Sequence, residues 1–436
     1  MKYEALNPEM FKLHRRRFMQ QLQPQSIAIF NSNDRMPRNG DQFFPFRQNS
    51  HFFYLCGIDQ EKSVLVLFPD CVKSDFRELL FIRKGSEKLA TWEGQQLDKR
   101  GASEMSGIPK VYWLEEMEVI LHELILMAQN IYINTNENDH FRSKLQTRDL
   151  RFAQSLRERY PAHNYQRAQP ILKKLGMLKS AYELPLIQHA IQITGQAFKR
   201  VCEFVRPGVM EYEIEAEIIH EFIRRRANGH AYSPIVASGA NACVLHYNDN
   251  NQRCHHGEVL LLDFGAEYAN YAADLSRCLP VSGRFSERQR QVYEAVLRVM
   301  QTATQLLVPG MTLEEYHKEV GQLMESELIG LKLLSRETVR QQNPDRPAYK
   351  KYFMHGTSHH LGLDVHDLAD RYMPIQAGMV FTVEPGIYIP EEQLGIRLEN
   401  NILVTDEGPI DLTANIPVEV EAIEELMNAQ VAYSNG

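Results

Sequence analysis

Two stretches of this 436-residue chain follow one pattern: an apolar run that ends in an acid and then a glycine. The first is Gly257-Glu258-Val259-Leu260-Leu261-Leu262-Asp263-Phe264-Gly265, and the second is Gly378-Met379-Val380-Phe381-Thr382-Val383-Glu384-Pro385-Gly386. Glycine, valine, acid and final glycine stay in step at 384 − 263 = 121 residues. An isolated ionised carboxylate in so apolar a strand is costly, so it is normally paired or holds a metal. Two related strands with one such acid each predict a site built across an internal pseudo-symmetry axis. They also predict a metal there.

The surrounding sequence repeats as well. Pro207-Gly208-Val209-Met210-Glu211 opens an amphipathic pattern carrying Ile214, Ile218 and Phe222, and Pro309-Gly310-Met311-Thr312-Leu313-Glu314 opens another with Tyr316 and Val320. His246 lies eleven residues before Gly257, and His366 twelve before Gly378. Helices, a histidine, then strand, acid and glycine thus occur twice in the same order. A duplicated α+β unit folded about a pseudo-twofold axis accounts for this.

Each acid-bearing strand has a hairpin partner with a second acid. A turn centred on Ala269-Asn270 places Asp263 opposite residue 276 and Asp274 opposite residue 265. The two aspartates are then diagonal neighbours on one face, under about 8 Å apart at Cβ. After Glu384 the chain returns as Gly395-Ile396-Arg397-Leu398-Glu399, and an even-length loop again puts both acids on one face. Four carboxylates carry about −4, which two divalent ions would balance; without them the cluster would repel itself and take up protons. Glu258 and Glu267 are expected to face solvent instead.

A fifth ligand is expected from the run Met354 to Asp367, which holds four histidines in twelve positions (His355, His359, His360 and His366) among small residues. His255-His256 reads as surface decoration. Cys243, three residues before His246, has no accompanying oxyanion loop and is not read as a nucleophile.

At this length one ordinary core does not suffice, and two or three domains are expected. Strand candidates at Ile27–Phe30, Val64–Phe68, Leu79–Ile82 and Ile131–Ile133, with helix-like stretches between and a helix start at Asn7-Pro8-Glu9, describe a first α/β domain. The boundary is placed near residue 170, giving domains 1–170 and 171–436. A net charge of −8 argues against a nucleic-acid or anionic-membrane surface, and the basic runs Arg15–Arg17 and Arg224–Arg226 are read as solvated helix faces. No signal-peptide core or membrane span is visible, and six cysteines without a Cys-x-x-Cys pair read as reduced thiols, so a cytoplasmic protein is expected.

The run His355-Gly-Thr-Ser-His359-His-Leu-Gly-Leu-Asp-Val-His366-Asp resembles the signature of Xaa-Pro aminopeptidases (aminopeptidase P), which are pita-bread metallopeptidases. So do Val244–Tyr247, Leu262-Asp263, Ala273-Asp274, Thr382–Tyr388 and Gly395–Glu399, while Pro45–Gly57 is similar to the family's non-catalytic first domain. The resemblance spans nearly the whole chain. It implies an α+β fold: a pseudo-twofold, creatinase-like catalytic domain preceded by a smaller α/β domain. It further implies that Asp263 binds one metal, that Asp274 and Glu399 bridge both, and that His359 and Glu384 complete the other. His246, His355, His366 and Tyr388 would line the substrate pocket, with Arg397 steadying the bridging carboxylates.

The implied metal is manganese, two ions per site, although the site chemistry alone admits cobalt, zinc or iron. The implied substrates are peptides with proline second, and the implied assembly is a homo-oligomer with Trp92 near a neighbour's site. Two ions lower the pKa of a shared water from about 15.7 towards about 7. The expected reaction is attack of that water on the carbonyl of residue one, with His366 helping to hold the oxyanion and Glu384 passing a proton to the departing nitrogen. Two positions depart from the family pattern: His51, where Asp or Asn is usual, and His360, where an aromatic is usual. Prolidase is the nearest alternative. Methionine aminopeptidase is disfavoured by the large first domain. Creatinase, which uses no metal, and the non-catalytic binding modules of this fold are disfavoured by the intact ligand set.

Overall fold

The four apolar runs of the first part become strands in a computed structural model, which describes residues 3–138, 141, 143–370 and 372–433. The chain divides into two compact units, Tyr3–Gly176 and Met177–Gly436. In the first unit Ser26–Asn31 is buried throughout and sits centrally, antiparallel to Val64–Leu67 and parallel to Asn130–Ile133. Glu78–Ile82 and Lys110–Trp113 extend the sheet on one side and Asn164–Arg167 on the other, giving six strands. Ile29, Val66, Leu79, Ile131 and the helix residues Leu121, Leu124 and Ile125 share one core.

The helix Pro8–Met19 starts as its sequence predicts, with the Asn7 side chain accepting from the Glu9 amide at 3.0 Å and proline at the first position. One expectation fails on this helix. Arg15 is not solvated but fully buried. Four residues after Phe11 and three before Phe18, it falls on their inward face. Its charge is met there by Glu78 at 2.7 Å and by the carbonyls of Leu55 and Ser106, both at 2.9 Å. Arg16 is exposed as read, as are Arg224 and Arg226. His51 bonds through Nδ1 to Asn134 Oδ1 at 2.9 Å.

The second unit contains the duplication. Helices Leu184–Phe204 and Glu211–Arg224 precede one hairpin, and helices Glu287–Leu306 and Leu313–Gly330 precede the other. Ile214, Ile218, Phe222, Tyr316 and Val320 are all fully buried. The pseudo-twofold α+β arrangement is therefore present in the order of elements as well as in the sequence.

In the first hairpin Val259–Asp263 pairs antiparallel with Ser276–Pro280, so Asp263 faces Ser276. The tip closes at Tyr268↔Tyr271. Ala269 and Asn270 between them have φ of 50° and 66°, the two left-handed residues that a type I′ turn requires. A Cβ on Gly265 would stand 1.7 Å from the Ala273 carbonyl oxygen, so only glycine fits opposite Asp274. In the second hairpin Val380–Val383 pairs with Asn400–Leu403, and Gly386–Ile389 with Leu394–Arg397. The same register runs through both pairs, since 383 + 400 = 386 + 397 = 783. Among the described residues no helix is long and apolar enough to cross a membrane, and all six cysteines are free thiols.

Candidate metal centre

The hairpins bring Asp263, Asp274, Glu384 and Glu399 together with His359. Asp274, His359 and Glu399 each offer a ligand atom, and the three atoms lie within 4.8 Å of one another. His359 Nε2 is 3.4 Å from Asp274 Oδ2 and 3.5 Å from Glu384 Oε1, which ties in the fourth residue. Asp263 joins through Tyr232, whose hydroxyl stands 2.6 Å from Asp263 Oδ1 and also touches Asp274 Oδ1. Asn401 holds the Asp274 backbone from both sides, accepting from its amide at 3.2 Å and donating to its carbonyl at 2.6 Å.

Hydrogen-bond bookkeeping orders the surrounding shell. Arg397 is donor-only, and gives Nη2–H to Asp263 Oδ2 at 2.6 Å, Nη1–H to Tyr388 Oη at 2.9 Å and Nε–H to Ser276 Oγ at 3.0 Å. The Ser276 hydroxyl then has its proton free for Glu399 Oε2, 3.0 Å away. The Tyr388 hydroxyl likewise gives its proton to His355 Nε2 at 2.8 Å, while His355 Nδ1–H reaches the Gly356 carbonyl at 2.8 Å. This assigns a neutral His355 protonated on Nδ1. Arg397 thus contacts Asp263 directly and reaches Glu399 only through Ser276.

Burial pushes the Glu384 carboxyl up to about 7, with the His359 charge pulling down and Asp274 pushing up. Glu399 is raised well above the carboxylate range, by burial first and then by Asp274, Glu384 and Asp263. Burial alone would lower His359, but its bond to Asp274 and the charges of Glu384 and Asp274 lift it to about 9. His355 is lowered to about 3 by burial and the Arg397 charge.

Divalent cations fit this donor set on three grounds. Glu399 Oε1 is buried without a hydrogen-bond partner. The Tyr232 hydroxyl has one proton to give and two carboxylates facing it. Glu399 is raised by burial and then by the charges of three neighbouring carboxylates, a repulsion that bound cations would relieve.

The remaining histidines take distinct places. The His366 ring meets that of His359 edge to face, with centroids 4.5 Å apart, and His366 itself is exposed. His246 is exposed on the turn after the short helix Gly239–Cys243, and its charge contributes to the field at His355. His360 is buried against the Phe381 ring at 4.2 Å. His255 and His256 are exposed.

Two acids expected in solvent are not there. Glu267 is buried and accepts from Asn228 at 3.0 Å, because its strand also pairs with Gly229–His230. Glu258 is half-buried and accepts from Ser238 Oγ and the His255 amide, both at 2.8 Å. Tyr232, Ser276 and Asn401 carry no motif and were not anticipated; only the register prediction opposite Asp263 pointed at position 276.

A carboxylate-rich, imidazole-containing centre at the junction of two related hairpins defines a metal-dependent hydrolase. The model for metallopeptidase family M24 matches residues 185–406, the model for the aminopeptidase P N-terminal domain matches residues 11–132, and the chain belongs to family M24. It is 35% identical to the Xaa-Pro aminopeptidase of Haemophilus influenzae over 97% of this chain and 98% of that one. The low-pH form of Escherichia coli aminopeptidase P superposes with a TM-score of 0.88 at 33% identity, covering 98% of this chain and 99% of that one. A zinc-substituted form of the E. coli enzyme in complex with product gives 0.86 at 33% identity and the same coverage. The catalytic unit therefore has the pita-bread fold, and the unit before it is the aminopeptidase P type of first domain.

Proposed function

We propose that this chain is a metal-dependent aminopeptidase that releases the first residue of peptides carrying proline second. The observation that carries this reading is the convergence of Asp274, His359 and Glu399 in a family member collinear with Xaa-Pro aminopeptidases over nearly its whole length. Prolidase is not favoured, because the curated relative and the matched structures are aminopeptidases.

Asp263, Asp274, His359, Glu384 and Glu399 would hold two divalent ions, with Asp274 and Glu399 shared. When bound, such a pair lowers the pKa of a water and polarises the scissile carbonyl. The chain's own groups supply the rest. Glu384 Oε1 lies 3.5 Å from His359 Nε2, at the edge of the centre, where a carboxylate can pass a proton between the attacking water and the leaving group. The amide nitrogen of a proline has no N–H and must be protonated before it leaves, and Glu384 is the group to do so. His366, beside His359, donates to the oxyanion, a contribution of about 3 kcal/mol for one such donor. His355, held neutral by Tyr388 and Gly356, lines the pocket with His246 and Tyr388. Arg397 Nη2–H donates to Asp263 Oδ2 at 2.6 Å and fixes that carboxylate in place.

Manganese suits this oxygen-rich set as a hard-to-borderline ion. Six unpaired thiols support a reducing, cytoplasmic setting. A homo-oligomer is the assembly we favour, with the 80% exposed Trp92 near a neighbour's site.

The test compares Gly-Pro with a longer Xaa-Pro peptide, with manganese added. Release of the first residue from the longer peptide supports the reading. Cleavage of the dipeptide alone would make the chain a prolidase, and no cleavage of either would leave a binding module.

A further inference from the structure

The start of the second unit carries two buried charges that the proposed mechanism does not use. The Lys179 side chain is 1% exposed, with Nζ 2.8 Å from Asp367 Oδ2. Glu183, four residues on, is 1% exposed. A buried ammonium or carboxylate needs close partners to offset its lost hydration. Here those partners lie on the two segments that carry the chemistry.

Asp367 directly follows His366, and its amide donates to the His360 carbonyl at 3.0 Å, closing the loop from His359 to His366. Gly362 inside that loop is pressed onto the ion pair: a Cβ there would stand 2.0 Å from Asp367 Oδ2 and 2.5 Å from Lys179 Nζ. The Gly362 carbonyl accepts from the Ala272 amide at 2.8 Å, two residues before Asp274. The Lys179 amide donates to the Gly378 carbonyl at 2.8 Å, at the head of the strand leading to Glu384. Glu183 accepts from the Tyr271 hydroxyl at 3.2 Å, at the tip of the aspartate hairpin, and from the Ser180 amide at 2.8 Å.

We infer that Lys179 and Glu183 are positioning residues: one short segment clamps the His366 loop, through Asp367, and the Asp263–Asp274 hairpin, through Tyr271, into a single frame. Asp367 adjoins His366, so the backbone that the ion pair secures also carries the ring that meets His359 edge to face. A misplacement of about 1 Å in such a group costs on the order of 10²-fold in rate. The inference rests on the reading of His366 as an oxyanion donor.

The experiment uses the full chain with manganese and a longer Xaa-Pro peptide. Lys179→Met should lower kcat about tenfold or more while KM moves less than about twofold and metal content is kept, and Lys179→Arg should restore most of it. In a His366→Ala background, Lys179→Met should cost less than about twofold, because the group it positions is gone. Wild-type kcat in Lys179→Met, or equal losses in both backgrounds, overturns the assignment. Asp367→Asn breaks the same pair from the other side and replaces Lys179→Met if that variant does not fold. Hydrogen exchange across residues 360–367 should quicken in either variant, and unchanged exchange overturns the clamp even if the wild-type chain cleaves no peptide. That last failure would count against the aminopeptidase reading alone.

Discussion

Ser276 and Glu399 hold the same place in the two halves of the catalytic unit and are hydrogen-bonded to each other, Oγ to Oε2 at 3.0 Å. Ser276 is the register partner of Asp263. Glu399 is that of Glu384, since 384 + 399 = 783, the sum kept by the flanking pairs. By the same count Asp274, opposite Gly265, corresponds to Arg397, opposite Gly386. The duplicated scaffold has thus diverged at two of four positions. Acids at Asp263 and Glu384 are equivalent; the other two carboxylates come from non-equivalent places, with a serine and an arginine filling the vacated ones. Those two are the pair that links Asp263 to Glu399.

Ser276→Ala should therefore weaken cation binding without removing a ligand. It strips Arg397 Nε and Glu399 Oε2 of a common partner, and changes of this kind cost about 10–100-fold in metal affinity. Ser276→Thr, which keeps the hydroxyl, should stay near the parent. Equilibrium dialysis against manganese reads both, and unaltered affinity in the alanine variant would count against the relay.

Asp274→Asn should abolish peptide cleavage and lower metal content, because this residue lies within reach of both His359 and the Tyr232 that touches Asp263. Metal analysis beside an activity assay decides it. Full activity with an undiminished metal complement would remove the shared-ligand role.

Cation uptake near pH 7 should release protons, because His359 at about 9 and the raised Glu384 and Glu399 hold protons that a cation displaces. Calorimetry in buffers of different ionisation enthalpy measures the number. The sign for the chelated protein follows from Glu384. Its folded pKa of about 7 lies above the ordinary carboxyl value of 4.5, so its contribution is full below that ordinary value and is lost as pH rises through about 7. Chelation should thus lower the melting temperature more at and above neutral pH than in acid. A chelator effect independent of pH would contradict this.

His230 should make the fold acid-sensitive. Both ring nitrogens are buried without a hydrogen-bond partner, and burial lowers the imidazole to about 4. A base depressed in the folded state contributes stability above its ordinary pKa, and that contribution is lost as pH falls from about 6.5 to about 4, on the order of 3 kcal/mol in all. His230→Phe should flatten the denaturation midpoint across that window, as urea titrations at several pH values would show. An unchanged slope would mean the imidazole is solvated.

Much of the site was legible because its geometry is local. The spacing around Ala269-Asn270 predicted Asp263 opposite residue 276, and the structure has that pairing. Strand periodicity needs only the turn to be found. Tyr232 escaped notice because it reaches Asp263 from 31 residues away, on the segment before the strand Ile235–Ser238 that pairs beside it. Lys179 contacts a residue 188 positions distant, and no periodic pattern reports such a contact. Arg15 was misplaced for the converse reason. A basic run suggests solvent, but its helical phase with Phe11 and Phe18 points inward, and that phase carries more information than the run's charge.

The two left-handed residues at the tip of the first hairpin act as the gauge of the centre. Inserting one residue between Ala269 and Asn270 would shift the return strand by one step and turn Asp274 to the opposite face, away from His359. A two-residue insertion would restore the face but carry the aspartate one rung along. Loop engineering at this tip, far as it looks from the chemistry, is thus confined to substitutions that tolerate positive φ, and length there is as constrained as the ligands themselves.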